Sequence, residues 1–119
     1  MKKIVIIEDE PSISEMLKLI LTREGFETAV FDTGRGAAQF VREQKPNLIL
    51  LDVMLPGVDG IDIAKEIREI PEMAKTPILV MSALDEAKPL FAGVPYIIGF
   101  INKPFVVSNL IETIKKALQ

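Results

Sequence analysis

The 119-residue chain contains no cysteine and no histidine. Without cysteine there can be no disulfide, no thiolate ligand and no thiol nucleophile, and the composition fits a reducing compartment. Without histidine the chain has no imidazole base, no imidazole metal ligand and no phosphohistidine of its own. Zinc and copper, which favour those two side chains, are disfavoured. Tryptophan is absent, tyrosine occurs once and phenylalanine six times, so aliphatic residues must build the core. No basic block appears and the net charge is −3, which argues against nucleic-acid binding by this segment. No apolar run approaches the ~20 residues that span a bilayer. Met1-Lys2-Lys3 precedes an apolar run, but that run, Ile4 to Ile7, ends at once in acids, unlike a signal peptide. The expectation is a soluble, cytoplasmic chain with no membrane partner.

A chain of this length forms one domain, residues 1–119, large enough to bury roughly two-thirds of its unfolded surface without a metal or disulfide staple. Its strongest feature is Asn47 to Gly60, NLILLDVMLPGVDG. Leu48 to Leu51 is unbroken apolar sequence, as in a strand buried on both faces. It stops on Asp52, Pro56-Gly57 suits a turn, and Asp59 can cap a helix. Similar runs at Lys3–Ile7, Phe26–Val30, Ile78–Met81 and Tyr96–Ile101 predict four more strands. Between them, apolar residues recur at helical spacing: Ile13, Met16, Leu17, Ile20 and Leu21; Ala37, Phe40 and Val41, with Thr33 as a candidate cap; Ile61, Ala64 and Ile67. Pro89 interrupts the fourth helical stretch, predicting a short or distorted helix over about 85–92. A last helix starts near Phe105 or Val106 and carries Val107, Leu110, Ile111, Ile114 and Leu118. Alternating strands and helices imply right-handed βα units: an α/β, doubly wound, five-stranded parallel sheet of flavodoxin-like order 2-1-3-4-5.

Polar residues follow four of the apolar runs: Glu8 and Asp9, Asp52, Ser82, and Lys103. A parallel sheet brings all four to one edge, where open α/β sheets bind ligands. Glu8, Asp9 and Asp52 together would repel unless a cation intervenes, and an oxygen-only set that leaves room for water suits Mg²⁺. Lys103 offers a point charge for an anion such as phosphate, and Ser82 a hydroxyl. A carboxylate flanked by Mg²⁺ and lysine can attack phosphorus in line, which would place an aspartyl phosphate on Asp52. Taken singly, each residue has a plainer role. Acids at a helix start favour its dipole, the natural place for Glu10, and a lone lysine before proline is usually a surface residue. Coincidence at four strand ends outweighs those readings.

Four stretches in order, IVIIEDEP, LILLDVMLPGVDG, PILVMSA and FINKPF, make the chain resemble the receiver domain of two-component response regulators, the CheY-like superfamily, along its whole length. The resemblance implies that Asp52 is the phosphoacceptor and that Asp9 binds Mg²⁺ directly, Glu8 through water and Met54 through its backbone carbonyl. Ser82 and Lys103 would each engage a phosphoryl oxygen, Pro104 would follow a cis peptide bond, and Phe100 would be the aromatic switch that moves with Ser82. It also implies a sensor histidine kinase or phosphotransfer protein as donor, and a downstream protein or an output domain outside this chain. Catalysis would be limited to the domain's own phosphorylation and dephosphorylation. Three departures stand out. Glu8 replaces the commoner Asp, Phe100 lacks a tyrosine hydroxyl, and Tyr96-Ile97-Ile98-Gly99 replaces a polar turn before the switch residue. The altered stretch lies on the family's usual output surface, and Met54 and Leu84 would shield the phosphoryl group from water.

Two other functions compete. A hydrolase using an aspartyl phosphate usually has a second Asp two residues after the nucleophile, where this chain has Met54. A phosphorylation-independent interaction module on a receiver fold would draw on Leu84 to Ile98, although Leu90, Phe91, Val94 and Ile97 are more simply core residues. A nucleotide loop at Gly34-Arg35-Gly36 is a weak match, since Gln39 takes the third glycine position.

Overall fold

In the computed structural model, residues 1–55, 58–82 and 87–119 are described, with the backbone alone for Met54, Leu55, Val58 and Ala87. Strands β1 (Lys3–Ile7), β2 (Glu27–Phe31), β3 (Leu48–Asp52), β6 (Ile78–Ser82) and β7 (Ile97–Asn102) form one parallel sheet. Their order is β2-β1-β3-β6-β7, the expected 2-1-3-4-5 when sheet strands are counted along the chain. Two-residue strands β4 (Met54–Leu55) and β5 (Val58–Asp59) pair antiparallel just beyond Asp52. The helices are α1 (Pro11–Arg23), α2 (Ala37–Gln44), α3 (Gly60–Glu69), α4 (Ala87–Leu90) and α5 (Val107–Ala117), with a 3₁₀ turn at Pro71–Met73.

Alternation along the central strands explains the two layers. Ile49 and Leu51 join Val5, Ile7, Ile78 and Val80 in the core beneath α2 and α3. Leu48 and Leu50 join Ile4, Ile6, Leu79 and Met81 in the core beneath α1 and α5. All five residues of β3 are buried, and each fully buried Leu or Ile contributes about 1.5–3 kcal/mol. Such a strand can only be central, so Asp52 is carried to the middle of the sheet edge.

Several boundaries differ from expectation for local reasons. Gly25 adopts φ +92° and the Phe26 N–H donates to Leu21 O at 3.0 Å, closing α1, so β2 starts at Glu27. Tyr96 has φ +61°, a turn conformation, and β7 starts one residue later than expected. Thr33 does not cap α2. Its hydroxyl accepts from the Arg35 N–H at 3.3 Å, and Gly36, at φ +82°, stands at the cap position instead. Asp59 precedes α3 but its side chain makes no capping bond. The short β4–β5 ladder was not foreseen, and the Pro56-Gly57 turn lies outside the described residues. The fourth helix is short, as expected, with Pro89 inside its one turn. Residues 85 and 86 of that predicted stretch also lie outside the described residues.

Candidate metal and anion site

Strand register gathers the predicted residues. Ile7 pairs with Leu51, so the residues that follow them, Glu8 and Asp52, leave neighbouring strands at one edge. Asp52 pairs with Met81, and Ser82 with Asn102. The edge is laced by backbone bonds: Val53 N–H to Met81 O at 3.1 Å and Lys103 N–H to Ser82 O at 2.9 Å. Glu8 is fully buried, Asp52 and Ser82 are each 3 % exposed, and Asp9 is half-buried. One carboxylate oxygen from each of Glu8, Asp9 and Asp52 falls within a 4.8 Å cluster. The Lys103 ammonium lies 2.6 Å from Glu8 Oε1 and 3.1 Å from Asp52 Oδ2. Lys103 is therefore a site residue and not the surface lysine it would be if read alone.

The electrostatics follow from burial. Glu8 is pushed up from 4.5 to about 7, first by desolvation and then by the neighbouring Asp52, against the opposing pull of Lys103. Burial works against the charge on Lys103, yet hydrogen bonds to Glu8 and Asp52 more than offset it and raise its pKa above the ordinary 10.5. Three acids and one lysine thus share a site short of positive charge. The donors are all oxygen, which fits a hard divalent ion and not a soft one.

One supporting residue was missed. A Cβ on Gly60 would stand 2.7 Å from Val53 Cα and 2.9 Å from Asp52 O, and its N–H donates to Val53 O at 3.0 Å. Only glycine lets α3 start this close to the backbone leaving Asp52. The hint in the sequence was a glycine directly after a candidate cap.

The sequence model of the response regulator receiver domain matches residues 4–115. The chain belongs to the response regulator receiver domain family. It is 34 % identical over 119 residues to the DNA-binding response regulator MtrA of Mycolicibacterium smegmatis, covering 99 % of this chain and 51 % of that protein. The Mycobacterium leprae MtrA is likewise 34 % identical, with 52 % of its length covered. This receiver domain spans about half the length of those regulators. Among solved structures, Vibrio cholerae chemotaxis protein CheY4 matches with a TM-score of 0.90 at 27 % identity, covering 98 % of each chain. The receiver domain of the Pseudomonas aeruginosa sensor histidine kinase PA1611, solved with a magnesium ion coordinated in its active site cleft, matches with a TM-score of 0.85 at 25 % identity, covering 97 % of this chain and 95 % of that one.

Other expectations for this receiver domain can be placed. The Lys103–Pro104 peptide bond is cis. Phe100 is half-buried, paired with Val80 in register, its ring 5.8 Å from the Phe91 ring at 70°. Lys88 Nζ lies 5.9 Å from the Phe100 ring centre. Phe91 and Val94 are core residues as expected, whereas Leu90 is 60 % exposed because the single turn of α4 aims it outward. The Met54 backbone lies in β4, two residues past Asp52. Leu84 lies outside the described residues. Among the described residues, no helix is long and apolar enough to cross a membrane.

Proposed function

We propose that residues 1–119 act as one receiver unit in which Asp52 accepts a phosphoryl group from a sensor histidine kinase or phosphotransfer protein. The observation that carries this is the convergence of Glu8, Asp9 and Asp52 on one strand edge, with Lys103 bonded to both buried acids. An Asp52 oxygen attacks phosphorus while the donor's P–N bond breaks and its electron pair leaves with nitrogen. Lys103, freed from Asp52 as that oxygen becomes the bridging oxygen of an acyl phosphate, pairs with a phosphoryl oxygen, and the Ser82 hydroxyl donates to another. Glu8, Asp9, Asp52 and the Met54 carbonyl would hold Mg²⁺. When bound, the ion neutralises charge on the carboxylates and the phosphoryl group. The fixed carboxyl edge supplies orientation, which is most of what phosphoryl transfer asks of a protein.

Phosphorylation then shifts a conformational population through Ser82 and Phe100, changing how a downstream protein or output domain is bound. The unit catalyses its own phosphorylation and dephosphorylation and turns over no separate substrate. It works in the cytoplasm, and this segment makes no contact with nucleic acid or membrane. Incubation with acetyl phosphate and Mg²⁺ followed by intact-mass measurement tests the reading. One added phosphate is expected, lost in Asp52→Asn and on chelation; equal labelling of Asp52→Asn would overturn it.

A further inference from the structure

Arg68, in the last turn of α3, spends its guanidinium on backbone. Its Nη1 donates to Met73 O at 2.8 Å, its Nη2 to Thr76 O at 2.6 Å and Tyr96 O at 3.2 Å, and its Nε to Pro95 O at 2.7 Å. The guanidinium also sits 5.8 Å from the Tyr96 ring centre. No carboxylate pairs with it among the described residues. One side chain therefore ties the end of α3, the turn leading into β6 and the turn leading into β7.

What it ties needs holding. Tyr96 occupies the left-handed region, at φ +61°, which an L side chain rarely adopts. Two residues on, the β6–β7 register slips: Ile78 pairs with Ile97 but Leu79 with Gly99, leaving Ile98 unpaired. A β7 without that irregularity is the natural competitor, because it leaves no residue of the strand unpaired. A one-residue slip turns every side chain to the opposite face. It would remove Phe100 from its place beside Val80 and Lys103 from its bond to Ser82 O. The Tyr96 carbonyl accepts from both Ile78 N–H, at 3.0 Å, and Arg68, so the clamp grips the residue that leads into β7, two before the unpaired Ile98.

We infer that Arg68 is a positioning residue: by pinning Pro95 and Tyr96 it selects the register of β7, and through it the reach of Lys103 into the phosphoacceptor site. The consequence for phosphorylation rests on the function proposed above; the register does not. Arg68→Met keeps the aliphatic stem and removes every donor, and Arg68→Lys retains one cation that cannot span four carbonyls. In either variant that remains folded by circular dichroism, the interstrand nuclear Overhauser contacts between Val80 and Phe100 should weaken or broaden. The phosphorylation rate from acetyl phosphate at saturating Mg²⁺ should fall roughly tenfold or more. Adding Tyr96→Gly, which frees the turn from its backbone penalty, should restore part of both signals. A general loss of stability would lower the urea midpoint but leave the Val80–Phe100 contacts of the folded molecules intact. Folded variants with wild-type Val80–Phe100 contacts would overturn the clamp. Wild-type protein that takes no phosphate would overturn the functional reading alone, leaving the register measurement to decide on Arg68.

Discussion

The two halves of the sheet are built on different terms. β1 and β3 are buried almost throughout. They pair without irregularity and bring in Glu8, Asp9 and Asp52. β7 is an edge strand of mixed exposure with a register slip and a left-handed residue at its entrance, and it brings in Phe100 and Lys103. The acidic half is held by hydrophobic burial along each strand. The half that carries Lys103 and Phe100 is tied by the Arg68 guanidinium reaching from α3 to Pro95 O and Tyr96 O. Under the proposed function, acids on buried, regularly paired strands and a lysine and aromatic on an irregular edge strand suit a site that first binds and then reports.

Substitutions should separate the halves. Leu50→Ala, in the fully buried centre of β3, is expected to cost about 2–5 kcal/mol in urea denaturation. A cost below that of an exposed position would break the contrast. Gly60→Ala comes next. Its added Cβ meets backbone on either side of the Asp52–Val53 peptide, with an expected loss of about 1–3 kcal/mol. It should also shift the Asp52 and Val53 amide resonances, sharpening the claim that the acidic half tolerates no local movement.

Glu8 gives a pH signature. Its folded pKa of about 7 lies above the ordinary 4.5, so metal-free folded protein holds a proton that the unfolded chain releases between those values. That contribution is intact below pH 4.5 and is lost as the pH rises to about 7. Urea midpoints should therefore fall over this window, and Glu8→Gln should flatten that part of the slope. Magnesium must displace the same proton, so its affinity should weaken up to tenfold for each pH unit below about 7, measured by calorimetry. The smallest effect belongs to the other half: Ile98→Thr, at the unpaired, exposed position of β7, should change stability by no more than about 0.5 kcal/mol.

The sequence revealed these halves unequally for the same reason. Continuous apolar runs that stop on polar residues announce buried strands and their ends, so the strands and the places of Glu8, Asp9, Asp52, Ser82 and Lys103 at them were legible in the sequence, whereas the sheet order followed from the doubly wound pattern of the class. The cap of α2 went to Gly36 instead of Thr33 because backbone conformation, not hydroxyl chemistry, decided it. The β4–β5 ladder, the closeness of Gly60 to Val53 and the Arg68 clamp were hidden, since each depends on distances between segments far apart in sequence or on two-residue pairings that leave no periodicity. Leu90 reads as core from its type, but one turn of helix cannot bury every apolar side chain it carries.

The central claim is that acids on adjacent strands gather a divalent ion and leave one carboxylate to take the phosphoryl group. Its most direct measurement is borohydride reduction after treatment with acetyl phosphate and Mg²⁺, with tandem mass spectrometry locating the reduced residue. Reduction confined to Asp52, and absent without the metal, is the predicted result. Modification at Asp9 or Asp59 in place of Asp52, or equal modification without Mg²⁺, would contradict it.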